Sequence, residues 1–253
     1  MKKLAAIISS LFISIYLLAG PPYDTDDPQP VNFRSWEFYL SSHSNYLKST
    51  AQGTLPHFEV NYGVVKNVQL HLLVPLAFYD EYGAKMNYGI GDVEVGVKFR
   101  FIQETKYIPQ VGIFPLCEIP AGNPDKGLGN GTVQYFLPLW IQKSFGDKWI
   151  TYGGYGYWIN PGKSDENWSY VGWQAQYQLT EKVSIGAELF DIIPDHHGKN
   201  DVRFNIGTVI DFNSQNHLLF SAGRSFNNDT SFQCYLGYLF TISKEDRTFS
   251  KRF

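Results

Sequence analysis

From residue 35 onward, apolar side chains recur at every second position, a period that belongs to extended strand and not to helix. In the clearest run Val93, Val95, Val97, Phe99 and Phe101 alternate with Glu94, Gly96, Lys98 and Arg100. Val68, Leu70, Leu72, Val74 and Leu76 alternate with Gln69, His71, Leu73 and Pro75. The phase persists late in the chain, where Val171, Trp173 and Ala175 oppose Tyr170, Gly172 and Gln174, and Val183, Ile185, Ala187 and Leu189 oppose Ser184, Gly186 and Glu188.

Strands are predicted near 35–42, 55–64, 68–78, 89–101, 108–119, 132–145, 149–158, 168–178, 182–192, 201–212, 216–224 and 230–242. Their links alternate in length. Short ones sit at 65–67, 102–107, 146–148, 180–181 and 213–215, and longer ones at 43–54, 79–88, 120–131, 159–167 and 193–200; only the last of the second set, 225–229, is brief. An even number of strands with short turns at one end and longer loops at the other predicts an all-β fold, a transmembrane antiparallel β-barrel of about 12 strands. A secreted sandwich alternates too, but its strands run nearer 5–6 residues, whereas a tilted bilayer crossing needs about 9–11. Trp36, Phe78, Phe101, Phe145, Trp149, Trp158 and Trp168 near strand ends suit the aromatic girdles of such a barrel.

The first residues fit this compartment. Lys2 and Lys3 precede an apolar run from Leu4 to Ala19, the layout of an export signal, and Gly20-Pro21-Pro22 ends it. At about 16 residues the run is short for a spanning helix. Proline after the scissile bond obstructs signal peptidase, so the predicted cut follows Ala19. Losing the two lysines takes the formal charge from -3 to -5. The predicted organisation is a signal peptide over 1–19, a Pro/Asp-rich segment over 20–34, the barrel over 35–242 and a charged tail over 243–253.

Composition sharpens the picture. The 17 Tyr, 19 Phe and 6 Trp exceed what an ordinary helical enzyme carries and belong to strand-rich proteins. A pI near 6.1 offers no basic face for nucleic acid. Cys117 and Cys234 are too few for a disulfide scaffold and lack zinc spacing, so no cofactor or metal is expected. Both are predicted on the outer face of distant strands, as free thiols.

Several ordered motifs carry a family resemblance. Gly20-Pro21-Pro22-Tyr23-Asp24-Thr25-Asp26-Asp27-Pro28, Gly89-Ile90-Gly91-Asp92, Gly96-Val97-Lys98-Phe99-Arg100-Phe101, Glu118-Ile119-Pro120-Ala121-Gly122, Gly127-Leu128-Gly129-Asn130-Gly131, Leu137-Pro138-Leu139-Trp140 and Tyr152-Gly153-Gly154-Tyr155-Gly156-Tyr157-Trp158 follow one another along the chain. They resemble the outer-membrane transporter family of the MetA pathway of phenol degradation. That resemblance implies passage of aromatic or other small organic molecules across the outer membrane. Its partners are then membrane lipid, an organic solute and, during biogenesis, the barrel-assembly machinery. Family members end at the last strand, whereas here a tail follows, so Tyr235, Tyr238 and Phe240 are the candidates for the assembly signal.

If the apolar phase meets lipid, the other phase lines the lumen. The candidates are His57, Glu59, Asn61, His71, Asp92, Glu94, Lys98, Arg100, Glu118, Gln134, Gln142, Gln174, Gln176, Glu188, Arg203 and Asn205. Such charges either pair across a narrow bore and fill it, as in a structural barrel, or line water and select solutes. Asp24, Asp26 and Asp27 lie in a stiff, proline-bounded segment that is either a plug meeting Lys98, Arg100 or Arg203, or a periplasmic tether. An outer-membrane hydrolase is the rival function. Its nearest sequence features are Ser41, His43 and Ser44, and Asp195-His196-His197 with Asp201, neither of which shows a nucleophile–base–acid arrangement. The glycine-rich stretch over 127–131 has no following helix to cradle phosphate and reads as a flexible loop.

Overall fold

The computed structural model describes residues 20–162, 166–227 and 232–243, so the predicted signal peptide and all but the first residue of the tail lie outside the described residues. Fourteen strand segments form a single sheet. They are β1 (Trp36–Tyr46), β2 (Thr50–Val65), β3 (Val68–Glu81), β4 (Asn87–Ile90), β5 (Val93–Ile102), β6 (Gln110–Ile113), β7 (Leu116–Ile119), β8 (Gln134–Phe145), β9 (Trp149–Ile159), β10 (Trp168–Thr180), β11 (Val183–Pro194), β12 (Asp201–Asp211), β13 (Asn216–Ser225) and β14 (Phe232–Ile242).

Every pairing is antiparallel, and β1 pairs with β14 from Trp36↔Ile242 to Tyr46↔Phe232, which closes the sheet. β4 and β5 both pair with β3, and β6 and β7 both lie between β5 and β8, so each couple is one interrupted stave. The fold is therefore a closed antiparallel barrel of twelve staves. Closure removes the free edges on which every backbone group would otherwise need water.

One predicted loop is absent. Residues 43–54 were expected to form a long link, but β1 and β2 run on to a tight turn at 47–49, with Ser44↔Gly53 and Tyr46↔Ala51 still in register. Alternation fails there because Ser41, Ser42, His43, Ser44 and Asn45 are polar on both faces. The backbone ladder nevertheless extends, since its hydrogen bonds do not depend on side-chain polarity.

The sheet's outer face is apolar. Leu40, Leu70, Leu72, Val97, Leu137, Leu139, Trp173, Leu189, Ile206 and Leu236 are all exposed on it. A continuous belt of this kind around a closed sheet suits hydrocarbon, not water. The inner face carries most of the buried polar residues, among them Gln69, His71, Lys98, Gln110, Gln142, Gln174, Gln176, Glu188, Asn205 and Gln233.

Candidate functional site: the lumen and its inserted segment

Ahead of β1 the chain turns back into the barrel at the short-turn end. Phe33 bridges Gly63 of β2 in parallel, and Arg34 N–H donates to the Gly63 carbonyl at 2.7 Å. Gly63 permits the crossing by lacking a side chain, because a Cβ there would lie 2.0 Å from the Asn32 carbonyl oxygen. From this point residues 20–31 run inside the lumen. Val31 N–H donates to Gln69 Oε1 at 2.9 Å, and Gln29 accepts from Arg100, whose guanidinium also reaches Gln110 Oε1 and Asn67 Oδ1, both at 2.9 Å.

The three aspartates of the segment find different partners. Lys98 Nζ donates to Asp26 Oδ1 at 2.9 Å and lies 3.6 Å from Asp27 Oδ2. Asp27 is 1% exposed, and its carboxyl is pushed up to about 7, foremost by burial. Asp24 Oδ2 accepts from Asn205 Nδ2 at 3.0 Å and Gln233 Nε2 at 2.9 Å. Glu188 on β11 holds the backbone, its two oxygens accepting the N–H groups of Asp24 at 2.9 Å and Thr25 at 2.8 Å. Arg203 donates to Asp201 on its own strand and to Gln233 Oε1, and so shares Gln233 with Asp24.

Wall and segment fit closely. The Thr25 hydroxyl lies 2.9 Å from Tyr170 OH. A Cβ built on Gly172 would come 2.5 Å from Thr25 Oγ1, and one on Gly186 would come 2.5 Å from Tyr23 OH. These wall glycines leave the space that the segment occupies.

The remaining predicted lumen residues divide by neighbourhood. Asn61 Nδ2 donates to Glu59 Oε1 at 2.7 Å, which turns Asn61 Oδ1 toward His71 Nδ1 at 2.8 Å, while His71 Nε2 faces Glu94 Oε1 at 2.9 Å. Both ring nitrogens therefore face acceptors, which only the doubly protonated imidazole satisfies. Glu94, Glu118 and Gln134 form one row across β5, β7 and β8. Asn130 Nδ2 donates to Glu118 Oε1 at 2.9 Å and so offsets the repulsion of adjacent carboxylates. Gln142 and Gln174 flank Tyr152 in register, and Gln176 Nε2 donates to Tyr152 OH at 3.0 Å. His57 Nδ1 lies 2.8 Å from Thr54 Oγ1.

Asp92 plays another part. It sits between β4 and β5 and accepts the backbone N–H groups of Gly122 and Asn130. The glycine-rich stretch is a loop that packs over the long-link end, with Leu128 buried at 5% and Gly127 in the left-handed conformation at φ 67.

The alternating pattern left one feature unassigned. Phe114, Phe136, Trp140, Tyr170 and Phe190 form a buried cluster, with Leu116, Trp158, Trp168 and Ile192 against it. Phe136 stacks on Trp158 at 4.8 Å, and Trp158 on Trp168 at 5.3 Å. Trp158 and Trp168 thus belong to the inner wall and not to a girdle, because the register Phe136↔Trp158↔Trp168 puts all three on the lumen face. The signal was in the sequence: Phe136 and Trp140 share the phase of Gln134 and Gln142.

These rings bound a cavity of about 360 Å³ toward the long-link end. Residues 20–24 and Asp26 line it together with His43, His57, Glu59, His71 and Glu94, and His71 meets the ring cluster edge-on, 5.2 Å from Phe114. An apolar wall facing convergent polar groups is the usual form of a small-molecule site.

Among the described residues the hydrolase candidates take other partners. Ser41 Oγ points to the His57 carbonyl at 3.5 Å, His43 faces Asp24 at 3.8 Å, and His196 and His197 are held through their backbone N–H groups by Glu166. Among the described residues no three of His, Cys, Asp and Glu converge as metal ligands, and Cys117 and Cys234 are both free.

No family model matches the chain. No curated protein matches it either. Among solved structures, an outer membrane channel from Pseudomonas putida F1 superposes with a TM-score of 0.71 at 13% identity, covering 87% of this chain and 100% of that one. The KdgM porin gives a TM-score of 0.59 at 10% identity, over 81% of this chain and 99% of its own. The NanC porin gives 0.57 at 9%, over 81% and 100%. At these identities the likeness is one of fold: the chain shares the closed antiparallel barrel of these channel and porin structures.

Proposed function

We propose that this chain is an outer-membrane channel for small organic molecules with an aromatic or hydrophobic body, exported behind a signal cleaved after Ala19. The observation that carries this reading is the ring cluster on the lumen face. A porin interior is polar, and a purely structural barrel gains nothing from setting an aromatic wall beside an open cavity. The resemblance to the MetA-pathway transporters and the fold shared with channels and porins agree with it.

In this reading the short turns face the periplasm, and residues 20–34 enter the bore from that side as a plug. Solute collects against the rings of the outer cavity and passes when the segment shifts. Assembly by the barrel machinery reads the outward Tyr238 together with Phe240 of the closing strand.

The test is solute influx into proteoliposomes. A single-ring aromatic solute enters faster than a sugar of similar mass, and both enter faster than in protein-free vesicles. No acceleration of either solute favours the filled, anchoring barrel, for which the ion pairs between segment and wall are the supporting observation.

A further inference from the structure

The inserted segment brings Asp24, Asp26 and Asp27 into a lumen whose wall already carries Glu188. Asp27 and Glu188 are buried, and Asp26 is largely so. Lys98 pairs with Asp26 and Asp27, and its Nζ is already engaged by Asp26 Oδ1 at 2.9 Å. Glu188 is satisfied by amides. Asp27 Oδ2, by contrast, is buried without a hydrogen-bond partner, an arrangement that is costly for a charged oxygen.

Gly20 stands beside this oxygen. It is buried, its nitrogen lies 3.3 Å from Tyr152 OH, and a Cβ built on it would be 3.5 Å from Asp26 Oδ1 and 3.8 Å from Asp27 Oδ2. Within an uncut chain that nitrogen is a neutral amide with one N–H. Hydrolysis of the Ala19–Gly20 bond adds water across the amide: Ala19 leaves as a carboxylate, and Gly20 retains an amine that takes up a proton. The product is a compact cation with three donors, placed against Tyr152 OH and in the neighbourhood of the two aspartates.

We propose that signal-peptide removal completes the lumen: the new α-ammonium of Gly20 is the second counter-ion of Asp26 and Asp27 and locks the segment in place. The inference rests on the cut after Ala19 and extends the channel reading by making processing a condition for a seated plug. It also gives a reason for the position of the cut, since an amine displaced by even two residues cannot occupy the same spot.

The experiment uses the mature barrel in detergent, its folded state checked by heat-modifiable gel mobility. Intact mass reads the first residue, and mass spectrometry of the N-terminal peptide after brief treatment with an amine-acetylating reagent at pH 8 reads the reactivity of the amine. The expected result is a chain starting at Gly20, with acetylation slower by more than about tenfold in the folded barrel than in the unfolded chain, one pKa unit being a factor of ten. Asp27→Asn keeps the shape but removes the charge, and insertion of Ala-Ser before Gly20 moves the amine; each restores most of the rate. A different first residue, equal rates folded and unfolded, or slow labelling that Asp27→Asn leaves untouched each overturns the proposal. The last of these would mean burial alone. Solute influx measured on the same samples reads the channel separately.

Discussion

Lys98 reaches from β5 into the lumen and places its Nζ 2.9 Å from Asp26 Oδ1, joining the barrel wall to a segment more than seventy residues earlier in the chain. Its ammonium also lies over an aromatic ring, with Nζ 4.8 Å from the centre of Phe114. Replacing it with Met leaves Asp26 and Asp27 without the ammonium that the wall supplies. Loss of one partner of a buried pair costs about 3–5 kcal/mol, enough to release the segment while the closed sheet persists. Limited proteolysis is expected to cut residues 20–34 of the Lys98→Met barrel and spare the parent, with heat-modifiable mobility unchanged.

Steric displacement should act through a different contact. A side chain at Gly186 meets Tyr23 OH, and one at Gly207 comes 2.9 Å from Tyr23 Cε1. Gly186→Leu and Gly207→Leu are expected to expel Tyr23 and raise solute influx in proteoliposomes. A leucine introduced at Ile206, on the outer face of the same strand, is expected to leave influx unchanged.

The acidity of Asp27 gives a pH signature. Its folded-state value, about 7, lies above the ordinary carboxylate value of 3.8. The seated form therefore binds the extra proton, so this group's contribution is complete below about pH 4 and is lost as pH rises through about 7. Where the Gly20 amine is displaced by an Ala-Ser insertion, the segment is expected to be protease-resistant at pH 5.5 and cleaved at pH 8.5. The native start is expected to resist at both.

The aromatic wall makes a selectivity prediction. Trp158 contributes one stacked ring between Phe136 and Trp168. A ring contact of this kind is worth about 0.5–1.5 kcal/mol, so Trp158→Ala is expected to raise the half-saturating concentration of an aromatic solute about 2- to 12-fold. Sugar influx, measured alongside, is expected to change little.

The barrel was legible in the sequence because lipid and lumen force opposite polarity on alternate residues, and Val93 through Phe101 records that almost without exception. The phase also placed Glu188, Gln174 and Lys98 on the inner face. Legibility failed where side chains ceased to differ between faces, as from Ser41 to Asn45. It failed again where polarity misrepresents environment: Trp158 and Trp168 resemble girdle residues by composition and position, but cross-strand register turns them inward. Three-body arrangements such as Gly20 with Tyr152 and Asp27 leave no local signature, since Tyr152 lies more than a hundred residues from the other two.

The account is tested most directly by locking the segment to the wall. Thr25 Oγ1 lies 2.5 Å from where a Cβ on Gly172 would stand, so Thr25→Cys with Gly172→Cys, in a background lacking Cys117 and Cys234, sets two sulfurs within bonding reach. The measurement is aromatic-solute influx into proteoliposomes, oxidised and then reduced. The account predicts a disulfide that forms in the folded barrel, suppresses influx and releases it on reduction; a pair that fails to cross-link, or influx indifferent to the bond, contradicts it.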